Sequence, residues 1–184
     1  MLGSMRLFAL SAIGRDRPGI VSAVSEALLA HHANVEDSQM AILRGHFTMT
    51  LIVSVPETTD LDRLRADLDP VRKKLDLEGL AVSEIEQLDA KREPEPSHIL
   101  SVYGLDHPGI LHSIASVLAG EQVNITDLST RVLEEEGETP LYAMVLEVAV
   151  PDACDPASLE AKLRAACDEQ KVELSFRELE QDVL

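Results

Sequence analysis

One internal repeat limits what this chain can fold into more than any other feature. Asp16-Arg17-Pro18-Gly19-Ile20 returns as Asp106-His107-Pro108-Gly109-Ile110, and Asn34-Val35-Glu36-Asp37 returns as Asn124-Ile125-Thr126-Asp127, both displaced by 90 residues. Leu51–Pro56 returns as Leu146–Pro151 at a displacement of 95, which puts a five-residue insertion near Glu134–Pro140, where a hairpin loop can absorb it. A chain of 184 residues divided this way holds two modules, each within the usual size of a domain. The expected boundaries are residues 5–88 and 98–184, joined by a charged, proline-containing linker over 89–97. Residues 1–4 read as a cloning remnant ahead of a native start at Met5.

Each copy reads as strand, helix, strand, strand, helix, strand. Leu7–Ile13 and Ile99–Leu105 are short apolar runs closed by glycine-containing turns, the pattern of a largely buried strand. Pro18 and Pro108 are expected at the first helical position, where a missing N–H costs nothing, with Asp16 and Asp106 close to the N-cap. Ile20, Val24 and Leu28 then mark a buried helix face, repeated as Ile110, Ile114 and Leu118. Asn34–Leu43 and Phe47–Val55 form a hairpin around Arg44-Gly45, with Asn124–Leu133 and Leu141–Val150 as the longer counterpart. Second helices are expected over Leu61–Leu75 and Ala157–Glu169, with a kink or restart at Pro70, and last strands over Ala81–Leu88 and Val172–Leu179. The fold class is therefore α+β: two tandem ferredoxin-like βαββαβ domains, each an antiparallel sheet with both helices on one face.

Composition removes several functions. The chain is 45% hydrophobic and 27% charged, which leaves no case for disorder. Sixteen basic against 33 acidic residues give a net charge of −17, which opposes direct binding to a phosphate backbone. RNA-recognition modules of the same topology stack bases on strand aromatics, and this chain has three Phe, two Tyr and no Trp. The acidity is uneven, with nine basic and thirteen acidic residues in 1–88 against five and seventeen in 98–184. Two cysteines, Cys154 and Cys167, make no disulfide framework or zinc pattern, and no apolar run reaches the ~18 residues of a membrane span, so a cytoplasmic setting is expected. His107 and His112 do not share a helical face as a metal pair must, His31-His32 suits a helix C-terminus, and Glu134-Glu135-Glu136 reads as a solvated hairpin tip. No motif joins a nucleophile to a base, so the expectation is no enzyme, no cofactor and no metal.

What remains is the repeated turn, residues 14–19 and 104–109. A helix N-terminus offers unpaired N–H groups and partial positive charge to a carboxylate. Gly19 and Gly109, and with them Gly14 and Gly104, let a ligand approach the backbone. Asp16 or Asp106 can accept from an ammonium, and Asn34 or Asn124 can bond either group, so three polar elements are expected to converge on one zwitterion. The competing reading makes the aspartates helix caps and the asparagines turn closers, and repetition does not decide between them.

The two turns, with Asn34 and Asn124 fifteen positions after the second glycine of each, resemble ACT domains, which are amino-acid-sensing modules. The doubled arrangement with its D-x-P-G turn is similar to the glycine cleavage system transcriptional repressor family. That resemblance implies a regulator that binds a small amino acid, glycine first, and passes its state to a protein partner, a transcription factor or an enzyme. It also implies a homodimer, with pairs of modules joining into larger sheets. The candidate ligand-binding set is Gly14, Asp16, Arg17, Gly19, Ile20 and Asn34 in the first copy, and Gly104, Asp106, His107, Gly109, Ile110 and Asn124 in the second. The serine-sensing variety carries histidine where this chain has Gly14 and Gly104. Two alternatives stand beside it: a regulatory subunit of a metabolic enzyme, and a ligand-free interaction module.

Overall fold

Along Met5–Arg15 (β1), Phe8, Leu10 and Ala12 are buried between exposed or half-buried neighbours, the two-residue period of a strand with one face on a core. The structure is a computed structural model and describes residues 5–85, 94–133 and 140–179. Contacts divide the chain into two compact units, Met1–Ala90 and Lys91–Leu184. The first continues with α1 (Ile20–Leu29), β2 (Asn34–Leu43), β3 (His46–Pro56), α2 (Leu61–Lys74) and β4 (Leu77–Ile85). The second repeats the order as β5 (His98–Leu105), α3 (Ile110–Gly120), β6 (Asn124–Leu133), β7 (Leu141–Ala149), α4 (Pro156–Gln170) and β8 (Val172–Glu178). Its linker, over 89–97, is described only from residue 94, and the acidic tip over 134–138 lies outside the described residues.

The strand orders are β2-β3-β1-β4 and β6-β7-β5-β8, with every neighbouring pair antiparallel, so each unit is a ferredoxin-like βαββαβ sheet as expected. In the first unit Ile20, Val24 and Leu28 of α1 and Leu64 and Leu68 of α2 close over Phe8, Leu10, Met49, Leu51 and Val53. Ile110, Ile114, Leu118, Leu159 and Leu163 do the same over Leu100, Val102, Met144, Leu146 and Val148. Each such aliphatic side chain contributes about 1.5–3 kcal/mol by leaving water. The hairpin turn falls on Arg44 (φ 49°) and Gly45 (φ 84°), the paired positive φ of a two-residue connection.

Three expectations require correction. The first helices begin at Ile20 and Ile110 rather than at Pro18 and Pro108, because the N-cap residues Gly19 (φ 97°) and Gly109 (φ 109°) are left-handed and cannot continue a right-handed helix. Pro18 and Pro108 belong to the turn instead. At Pro70 there is no restart: α2 runs unbroken from Leu61 to Lys74. Pro70 and Ala66, whose carbonyl loses its partner, are both exposed, so water can take the orphaned acceptor while Leu64 and Leu68 hold the helix to the core. β4 starts at Leu77, four residues before the expected strand, since Asp76 (φ 51°) turns the chain directly out of α2.

Candidate functional site

The four helices among the described residues are capped in two ways. The second helix of each unit starts on an aspartate: Asp60 accepts from the backbone N–H groups of Asp62 and Arg63 at 2.9 and 3.3 Å, and Asp155 accepts from that of Ser158 at 3.1 Å. The first helix of each unit starts on a left-handed glycine with no side-chain cap and no acidic residue in its first turn. The first intrahelical bonds run from Ala23 N–H to the Gly19 carbonyl and from Ser113 N–H to the Gly109 carbonyl, both at 2.9 Å. The N–H groups of Ile20, Val21 and Ser22, and of Ile110, Leu111 and His112, thus lie ahead of the ladder, aligned with the positive end of the helix dipole.

Asp16 and Asp106 stand beside these open ends and cap neither, which removes the helix-cap role considered for them. Their backbone N–H groups are fixed on the neighbouring hairpin, Asp16 to the Gly45 carbonyl and Asp106 to the Pro140 carbonyl, each at 2.9 Å. Both side chains are exposed, and none of the described hydrogen bonds uses their carboxylates. In the second unit the charge of Asp106 is felt by Tyr142, whose phenol is raised above its ordinary pKa, first by burial and then by that carboxylate.

The other expected residues divide by what they touch. A Cβ on Gly14 would come within 3.0 Å of the Leu77 Cα, and one on Gly104 within 2.7 Å of the Val172 Cγ1 and 3.1 Å of its Cα. Their missing side chains admit strands β4 and β8, so the space they leave is filled by the protein itself. Around Gly19 nothing lies within 4 Å of a built Cβ, and its requirement is conformational. Ile20 and Ile110 are core residues at 1% exposure and offer a ligand only their N–H groups.

Arg17 and His107 both turn toward the junction of the second helix with the last strand. Arg17 lies 3.7 Å from Asp76. His107 places Nε2 2.7 Å from the Gln170 carbonyl and Nδ1 3.1 Å from the Pro108 carbonyl. Two carbonyls facing both ring nitrogens favour the doubly protonated imidazolium, and His107 is raised above its ordinary pKa mainly for that reason, with Asp106 adding and Lys171 opposing.

The asparagines are elsewhere. Asn34 pairs with Ser54 near the Met5 end of the sheet, whereas Arg15, the last residue of β1, pairs with His46 at the other end. Eight residues of β3 separate those levels, about 26 Å at a rise of roughly 3.3 Å each. Asn124, opposite Ala149, has the same placement relative to Leu105, opposite Leu141. The expected convergence of aspartate, helix end and asparagine therefore does not occur within one module. Asn34 borders a groove with Ser25, Glu26 and Leu29, while its amide donates to Glu36 Oε1 at 3.0 Å. The sequence places Glu36 within the repeat and assigns it no role.

Among the described residues no group of histidine, cysteine or carboxylate side chains has the arrangement to hold a metal ion, and no helix is long and apolar enough to cross a membrane. His31 is used structurally, its Nε2 2.9 Å from Asp67 Oδ2 on α2. Cys167 is buried, and burial pushes its thiol up to about 11.

A tandem pair of ferredoxin-like modules, each with an uncapped helix end behind an Asp-x-Pro-Gly turn, is the arrangement that the fold and the site define. The ACT domain family model matches residues 6–80 and 98–177, and the chain belongs to that family. It is 25% identical over 178 residues to the glycine cleavage system transcriptional repressor of Escherichia coli, covering 91% of this chain and 87% of that protein. It is also 25% identical over 171 residues to the phosphoserine phosphatase SerB2 of Mycobacterium tuberculosis, spanning 92% of this chain but 40% of the phosphatase. A protein of unknown function from Galdieria sulphuraria superimposes with a TM-score of 0.76 at 28% identity, over 96% of this chain and 99% of that one. The crystal structure of a putative glycine cleavage system transcriptional repressor superimposes at 0.71 over 95% and 98%, and at 20% identity it shows a shared fold.

Proposed function

We propose that this protein is a non-enzymatic amino-acid sensor that controls transcription of the glycine cleavage type through a protein partner. The observation that carries the reading is the contrast in capping: Asp60 and Asp155 satisfy the second helices, while Gly19 and Gly109 leave the first helices open to an external carboxylate. Asp16 and Asp106 supply the acceptor for the ligand ammonium. A small ligand suits a shallow site of backbone N–H groups and one carboxylate, and the E. coli relative makes glycine the first candidate.

The net charge of −17 directs the output to a protein rather than to DNA. Within one module the asparagine lies about 26 Å along the sheet from the turn, so an asparagine that meets a turn-bound ligand comes from another module, and a homodimer is one source of it. The match to part of SerB2 favours one further reading, in which the protein regulates a metabolic enzyme. Co-purification separates the two: a transcription factor recovered with the tagged chain supports the first, a catalytic subunit the second. Thermal shift against the twenty amino acids tests both, and a flat response to all of them opposes ligand sensing.

A further inference from the structure

Asn34 and Asn124 occupy equivalent places at the heads of β2 and β6, and the strands bulge at the same point, between Val35 and Asp37 and between Ile125 and Asp127. What the bulge carries differs. In the first module it is Glu36, and its Oε1 accepts from both the Asn34 amide and the Ser54 hydroxyl. Those two donors, Ser54 first, hold the Glu36 carboxyl below its ordinary pKa, so it is an anion at neutral pH. Ser54 is the one buried polar residue among the described residues, at 6% exposure, so this contact also satisfies a hydroxyl cut off from water.

In the second module the same three places hold Asn124, Thr126 and Ala149. The carboxylate is gone, and so is the serine that anchored it. The Thr126 hydroxyl oxygen is buried and finds no hydrogen-bond partner among the described residues. An external carboxylate approaching Asn34 meets a like charge already seated on the amide, whereas one approaching Asn124 meets a neutral threonine.

From this we infer that the two modules are unequal by construction: Glu36 is a built-in occupant that withholds Asn34 from ligand, and Asn124 is the asparagine that meets it. The inference rests on the sensor reading above and adds which copy of the asparagine serves it.

The experiment uses the full chain, with glycine and L-serine as probes, and follows side-chain amides by heteronuclear NMR alongside calorimetry. In the ligand-free protein Glu36→Thr is expected to shift the Asn34 amide and leave that of Asn124 in place. Glycine or serine is expected to move the Asn124 amide alone in the wild type, and both amides in the Glu36→Thr, Ser54→Ala double variant. Asn124→Ala is expected to weaken binding by about tenfold, the loss of one hydrogen bond to a charged group, and Asn34→Ala to leave it within about twofold. An Asn34 amide indifferent to Glu36→Thr overturns the inference without any ligand. Binding weakened equally by both alanine variants overturns it and leaves the sensor reading standing. Silence toward both probes and all other amino acids overturns the two together.

Discussion

If Asp16 and Asp106 serve a ligand rather than the fold, replacing them costs far less stability than replacing the two aspartates that cap helices. Asp60 satisfies two backbone N–H groups of α2, and Asp60→Ala leaves both without a partner, a loss of about 1 kcal/mol within a range of about 0.5–2. Asp155, with one such bond, belongs toward the lower end of that range. Asp16 makes no cap contact, is exposed, and keeps its backbone bond to Gly45 whatever its side chain, so Asp16→Ala stays within about 0.5 kcal/mol. For a module of this size 1 kcal/mol moves the melting temperature by roughly 4–8 °C, well within the reach of scanning calorimetry. The expected result is a clear shift for Asp60→Ala, almost none for Asp16→Ala, and loss of the glycine-induced stabilisation in Asp16→Ala,Asp106→Ala alone. An Asp16→Ala variant as destabilised as Asp60→Ala would return the residue to the scaffold and refute the reasoning.

Gly104→Ala drives a Cβ to within 3.1 Å of the Val172 Cα and is expected to cost about 1–3 kcal/mol by overpacking, measured by urea unfolding, whereas at Gly19 the same change meets open space and costs about 1–2 kcal/mol through its positive φ alone. Because the folded pKa of His107 lies above its unfolded value of about 6.5, its contribution is complete below that pH and is lost as pH rises through the folded value. The gap in melting temperature between wild type and His107→Ala is accordingly expected to be widest in acid and to close in alkali; a gap that widens with pH contradicts the imidazolium assignment. Cys167, buried with its thiol pushed up to about 11, is expected to resist a thiol reagent at pH 8 in the native chain and to react on unfolding, while the half-buried Cys154 reacts first.

Much of this architecture was readable because the repeat forced each inference to hold twice. The stripes Ile20-Val24-Leu28 and Ile110-Ile114-Leu118 lie on the cores as their spacing required, and the Arg44-Gly45 turn sits where the hairpin needed it. Pro18 alone suggests a first helical residue, but the glycine after it turns left-handed and moves the helix start to Ile20. The convergence of Asn34 on Asp16 failed for a reason the topology already held. β1 and β2 both run antiparallel to β3, so the head of β2 lies beside the head of β1 and away from the turn that ends it. The roles of Gly14 and Gly104 depend on Leu77 and Val172, more than sixty residues along the chain, which no local pattern reveals. Glu36 went unnoticed likewise, since its partner Ser54 is reached only through the sheet register.

The central claim is that an open helix end and a neighbouring aspartate hold a free amino acid. Titration calorimetry of the full chain with the twenty amino acids tests it most directly. The account predicts saturable heat with glycine or a similarly small amino acid, abolished in Asp16→Ala,Asp106→Ala, and a stabilisation of about 2.7 kcal/mol when that ligand stands at a hundred times its dissociation constant. Binding that survives the double variant unchanged, or no heat with any of the twenty, would contradict it.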